Sequence, residues 1–161
     1  MAPSVASLLI DGGAIVDKQD ETGFAALHFA VINNNPDLVK LYLQHDAKIN
    51  IIAFPYRYGC GGIMAAEKCG LSPLWFAVKY LPSGSHCEEL LLALGAKVTD
   101  TDTCAAHCPL FAVGSKEGFK GVLRYIRSPG FDINHRCSFL GSHLINVIRA
   151  YCCYSSSEFQ D

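Results

Sequence analysis

Cysteine and histidine gather in the last third of the chain in a pattern that invites metal chemistry. TCAAHCP supplies Cys104, His107 and Cys108, and HRC supplies His135 and Cys137 ahead of His143. Thiolate and imidazole are the usual ligands of tetrahedral zinc, so a converging set of four would suffice. Nucleophilic cysteine chemistry is a second possibility, but it needs a histidine base within reach and a third group to orient that base. Cys60 and Cys69 have no histidine near them in sequence, and Cys152 and Cys153 stand side by side near the end. Paired carboxylates occur at Asp20 with Glu21 and at Glu88 with Glu89. A third possibility is a phosphate loop in GCGGIMAAEK, residues 59–68. Such a loop calls for G-x-x-x-x-G-K-[ST] between a strand and a helix, and this stretch lacks the lysine–hydroxyl pair. The elements that carry these residues decide which chemistry can operate.

The 161 residues are 50% hydrophobic and 17% charged, enough apolar material for one cored domain. A net charge of −2, with the basic residues scattered, gives neither a nucleic-acid backbone nor an anionic membrane an obvious landing site. The apolar run Val5–Ile10 is too short for a signal core and far short of the ~20 residues of a membrane span. The expectation is a soluble, non-secreted protein of the cytoplasm or nucleus. In a reducing compartment the eight cysteines read as free thiols that pack as small hydrophobes.

An internal repeat organises the chain. GGAIVD (12–17), HDAKIN (45–50), LGAKVT (94–99) and PGFDIN (129–134) share one pattern, and their third residues, Ala14, Ala47, Ala96 and Phe131, lie 33, 49 and 35 positions apart. AALHFA, SPLWFA, CPLFAV and SHLINV give a second ladder, Leu27, Leu74, Leu110 and Leu144, with steps of 47, 36 and 34. A unit of about 33 residues therefore recurs, once with extra sequence. Within the second unit Leu27, Ala30 and Val31 make a helical stripe, NNNPD breaks it, and Leu38, Val39, Leu41 and Leu43 begin another. Glycine or aspartate before each Ala-x-Ile/Val ends the second helix. Neither short helix can bury its stripe alone, so the units must stack.

Thr22 to Asn50, TGFAALHFAVINNNPDLVKLYLQHDAKIN, resembles the ankyrin repeat, whose pattern runs G-x-TPLH-x-A, then V-x-x-LL, then GA-x-x-N. The resemblance implies an all-α, helix-turn-helix solenoid with β-hairpin-like fingers, about four and a half units long. It sets one domain over 1–154, with units at 1–17 (partial), 18–50, 51–99, 100–134 and 135–154 (partial), and a disordered tail over 155–161. There are departures from the pattern. Ala25–Ala26 and Cys108 replace capping groups, each at ~1 kcal/mol, and the histidine kept as His28 becomes Trp75 and Phe111. Val5–Asp11 reads as a second helix without a first, and Ser142–Cys153 as a first helix without a second. The chain is thus expected to be a segment of a longer array, or its end helices to fold back as caps.

Fourteen of the extra residues fall in the third unit's finger and two in KYLPSGSHCEE, the turn between its helices. That long finger holds FPYRYGCGG, residues 54–62. Aromatics and arginine dominate contact energy in interfaces, so Phe54, Tyr56, Arg57 and Tyr58 are candidate contacts; alternatively they fold back on neighbouring fingers. Stacking also weakens the zinc reading, because Cys104 and Cys137 occupy similar places in adjacent units, and stacked helices lie ~8–10 Å apart. The resemblance implies a non-catalytic module that binds another protein through its fingers and concave face, with no cofactor, metal, nucleic acid, membrane or small-molecule substrate. Its implied contacts are Lys18, Asp20, Glu21 and Phe24 on the first finger, the aromatic group on the long one, and Asp102, His135 and Arg136 beyond. Alternatives are the substrate-recruiting arm of a ubiquitin ligase, or an accessory segment of a larger enzyme or channel.

Overall fold

The computed structural model describes residues 4–53, 70–82, 84–98, 123, 126–132, 134, 136–137 and 141–142. Five helices of two alternating kinds lie among them. The first, α1 (Val5–Asp11), starts where the Ser4 side chain accepts the Ser7 N–H at 3.2 Å. Two helix hairpins follow, α2 (Ala26–Ile32) with α3 (Pro36–Gln44), and α4 (Pro73–Tyr80) with α5 (His86–Ala93).

The local chemistry of each boundary is visible in the bonds. At α3, Asn35 accepts the Leu38 N–H at 3.1 Å and Pro36 takes the first helical position, where its missing N–H costs nothing. Ser72 followed by Pro73 repeats the device at α4, and Ser85 caps α5 ahead of Glu88 and Glu89 in the first turn, where acids suit the dipole. The cap lost at Ala25 is partly replaced from inside the helix. Ala25 donates its own N–H to Nδ1 of His28 at 3.1 Å, half of a reciprocal cap. Each second helix ends on one residue in the left-handed region: Gly13 at φ 93°, Asp46 at 62°, Gly95 at 90°, and Gly130 at 84° in the corresponding place of the next unit. These four immediately precede Ala14, Ala47, Ala96 and Phe131, so the sequence ladder is a ladder of helix stops.

Packing joins the hairpins into one interior. Helix α2 lies against both α3 and α4, α4 against α5, and α3 against α5. Leu27, Val31, Val39, Leu74, Cys87 and Leu91 have no solvent exposure, Trp75 is buried, and the buried Phe76 ring meets Phe24 and His28 of the preceding unit at 5.3 and 5.8 Å. Full burial of each leucine contributes about 1.5–3 kcal/mol, and neither hairpin could supply that cover alone. By contrast α1 buries none of its residues: Val5 and Leu9 are 74% and 61% exposed.

Units are also tied edge to edge. Oδ1 of Asp17 accepts the Lys48 N–H at 3.0 Å, and Oδ1 of Asn50 accepts the Lys97 N–H at 2.9 Å. The next rung is made by backbone, Val98 N–H to the Pro129 carbonyl at 2.8 Å. Between hairpins the chain turns out into fingers. Ala53 and Leu71 exchange N–H···O bonds of 2.9 and 2.8 Å in an antiparallel bridge, closing the base of the long finger. Two short strands, β1 (Arg136–Cys137) and β2 (Gly141–Ser142), form another antiparallel pair with Arg136 opposite Ser142. Ser142, expected to open a helix, is instead held in extended backbone by this pairing. Among the described residues, no helix is long and apolar enough to cross a membrane.

Candidate functional site

The first finger, 17–24, is a rigid turn built on one carboxylate. Oδ1 of Asp20 accepts from the Thr22 N–H (2.8 Å), the Thr22 hydroxyl (2.7 Å) and the Phe24 N–H (2.9 Å), while the Asp20 N–H reaches the Phe24 carbonyl at 2.9 Å. The Thr22 hydroxyl bond, more than any other contact, holds this carboxyl below the usual carboxylate range. Asp20 is thus occupied in shaping the finger, which narrows its expected role as a partner contact. Lys18 and Glu21 are exposed on the same finger. Phe24 needs a correction: at 7% exposure it lies under the finger, against the rings of His28, Phe29 and Phe76 at 5.3–5.5 Å. An aromatic after Gly23 and before a helical stripe reads equally as tip or as anchor; burial makes it an anchor.

His28 stands where the first finger, helix α2 and the long finger meet. Its Nδ1 accepts from Ala25, so Nε2 carries the proton and faces the carbonyls of Ile51 and Leu71, each at 3.2 Å. Burial lowers the pKa of this imidazole, and the three backbone bonds only partly oppose that effect. Gln19 reaches the same region from outside. Its Nε2 donates to the Gly23 carbonyl at 2.7 Å and to the Ile52 carbonyl at 2.6 Å. Sequence reading passed over Gln19; its one hint was that Ile52 lies 33 positions away, a single repeat length.

Beside the finger the first helices expose part of an aromatic row. Phe24 touches Phe29 and Phe76, Phe76 touches Trp75, and Tyr80 lies over Phe76 with ring centroids 6.1 Å apart and planes inclined by 21°. The inner rings are buried, whereas Phe29 is 47% and Tyr80 62% exposed. Sequence reading did not single out these two. Phe29 and the buried Phe76 occupy the same place in AALHFA and SPLWFA, so the repeat pattern alone could not tell the exposed ring from the buried one.

Phe54, Tyr56, Arg57, Tyr58, Asp102 and His135 lie outside the described residues, as does the side chain of Arg136, whose backbone pairs in β1. The metal-ligand candidates Cys104, His107, Cys108 and His143 also lie outside them. Among the described residues no group of three His, Cys, Asp or Glu side chains could hold a metal ion. Cys87 is a buried free thiol whose pKa is raised by that burial, which suits packing and not nucleophilic attack.

Comparison with known proteins agrees with this architecture. Residues 22–51 match a family model described as ankyrin repeat. Proteins called "Ankyrin repeat and SOCS box protein 6" in Mus musculus, Pongo abelii and Homo sapiens are each 32% identical to this chain over 114 residues. The match covers 70% of this chain but 24% of each relative, so the chain spans about a quarter of the curated relatives it matches. Ankyrin repeats are protein–protein interaction modules and are generally non-catalytic. Its paired helices, recurring left-handed stops and matched unit at 22–51 make the chain similar to the ankyrin repeat family, with an ankyrin-type helix-turn-helix fold.

Proposed function

We propose that this chain is a non-catalytic binding module that holds a partner protein against its first finger, its long finger and the exposed aromatics of its first helices. One observation carries the reading: the first finger is stiffened from within by Asp20, yet leaves Lys18 and Glu21 exposed, beside the half-exposed Phe29. A preorganised surface loses little conformational entropy on binding, and aromatic rings on a rigid base are efficient anchors. The same reading assigns partner contacts to Phe54, Tyr56, Arg57 and Tyr58 of the long finger and to Asp102, His135 and Arg136. The setting is the cytoplasm or nucleus. Affinity capture with the intact chain and with a chain lacking Ile51–Lys68 tests the role of the long finger. Partners should be lost from the shortened chain while its helical circular dichroism is kept; unchanged capture of every partner removes the long finger from the site.

A second reading is favoured by the relatives' printed name, which joins ankyrin repeats to a SOCS box. In it, the chain is the substrate-recruiting arm of a ubiquitin ligase, and the partner held by the fingers is the protein to be modified. Extending the reading frame in both directions is the deciding observation. An adaptor-binding box in the extended product, with partner turnover that depends on Lys18, Glu21 and the long finger, supports this role; an extension that encodes an enzyme or channel instead overturns it.

A further inference from the structure

The side-chain amide of Gln19 has two N–H groups, and each meets a carbonyl on a different finger: Gly23 on its own finger at 2.7 Å, Ile52 at the base of the long finger at 2.6 Å. Ile52 lies between two other attachments. Ile51 faces Nε2 of His28, and Ala53 forms the bridge with Leu71, whose carbonyl faces the same imidazole nitrogen. The base of the long finger is therefore gripped from beneath by a buried ring and from outside by an exposed amide. We propose that Gln19 is a positioning residue, a staple that fixes the base of the long finger, residues 51–53, against the first finger.

Chemistry singles out the primary amide for this task. A carboxylate of the same shape would put oxygen against two carbonyl oxygens, and a thioether of similar length would give neither carbonyl a proton. His28 cannot serve as an adjustable coupling, because it is fully buried in the core and its loss would disturb the hairpin itself. Gln19 is exposed, so the coupling can be removed without opening the interior. The biological meaning of the staple rests on the reading that both fingers meet the partner; the coupling itself rests on the geometry.

Backbone hydrogen exchange on the full chain, wild type against Gln19→Glu and Gln19→Met, tests it. In both variants the amides of Ala53 and Leu71 should exchange at least about tenfold faster, while those of Val31, Val39 and Leu91 stay within about twofold of wild type, as expected for local and not global opening. Unchanged exchange at Ala53 and Leu71 overturns the staple, and so does an equal acceleration through α2–α5, which would make Gln19 an ordinary contributor to stability. Failure of the binding-module reading is seen separately, as unchanged partner capture by the chain lacking Ile51–Lys68, while the full-length Gln19 variants still show the expected exchange response at Ala53 and Leu71.

Discussion

Oδ1 of Asn50 accepts the backbone N–H of Lys97 at 2.9 Å across 47 positions, and Oδ1 of Asp17 does the same for Lys48 at 3.0 Å across 31. The two bonds are the same bond in successive units. Their difference in span equals the inserted sequence, which therefore leaves the register of the stack untouched. Replacing Asn50 with Ala should lower the unfolding free energy by about 0.5–1.5 kcal/mol, the usual net value of one hydrogen bond, while Asn50→Asp should stay near wild type. Urea titration followed by far-ultraviolet circular dichroism checks this; equal losses in the two variants would show that the acceptor oxygen is not what matters.

The stack should weaken in mild acid through His28. Burial places the folded-state pKa of this imidazole below its ordinary 6.5, so between the two values the unfolded chain binds more protons than the folded one. The contribution is complete above the unfolded value and is lost as the pH falls through the lowered folded value. The urea midpoint should drop between pH 7.5 and pH 5, and His28→Leu should be less stable at neutral pH yet show a smaller drop. Identical pH dependence in the two proteins would mean another group is responsible.

Leu74→Ala should cost about 2–5 kcal/mol, the range for emptying a fully buried leucine site. Because α4 lies against both α2 and α5, the loss should appear as one cooperative transition, with α3 and α5 unfolding together. Two resolved transitions by calorimetry would contradict a shared interior.

The helix stops predict opposite outcomes for two substitutions. Gly130 has φ 84°, and a Cβ there would stand 2.7 Å from the Val98 carbonyl oxygen, so Gly130→Ala should destabilise by about 1–3 kcal/mol. Asp46 holds the equivalent conformation with a side chain attached, and Asp46→Gly should be neutral or stabilising by up to ~1 kcal/mol, as relieved strain offsets added backbone freedom. Thermal denaturation of both variants decides the matter.

Tyr80→Ala should leave stability within about 0.5 kcal/mol, because the ring is mostly exposed even though it meets Trp75 and Phe76. Under the binding-module reading it should reduce partner capture. Intact capture by the variant would take Tyr80 out of the contact surface.

Periodic features were the most legible in the sequence. The spacing of Ala14, Ala47, Ala96 and Phe131 located the helix stops because a left-handed residue leaves a compositional mark, glycine or aspartate before a small or apolar one. Ser-Pro at 72–73 marked a helix start, and NNNPD at 33–37 the break between two helices, for an equally local reason. Burial was less readable. Phe24 looked like a fingertip, and only the rings of Phe29 and Phe76 around it reveal an anchor. Gln19 left no local mark, since its partners belong to two different units and a side-chain amide has no preferred sequence neighbours. The replacement of a lost cap by His28 was hidden for the same reason: the compensating group sits three residues inside the helix.

The antiparallel bridge between Ala53 and Leu71 brings the two ends of the long excursion within hydrogen-bonding distance, independent of what lies between them. Closing a longer excursion costs only about 0.6 kcal/mol for each doubling of length. That doorway is thus a natural splice point: a foreign epitope or a short receptor-binding sequence sewn between these residues would be carried on the solenoid like a flag on a mast, without a change to the helices behind it.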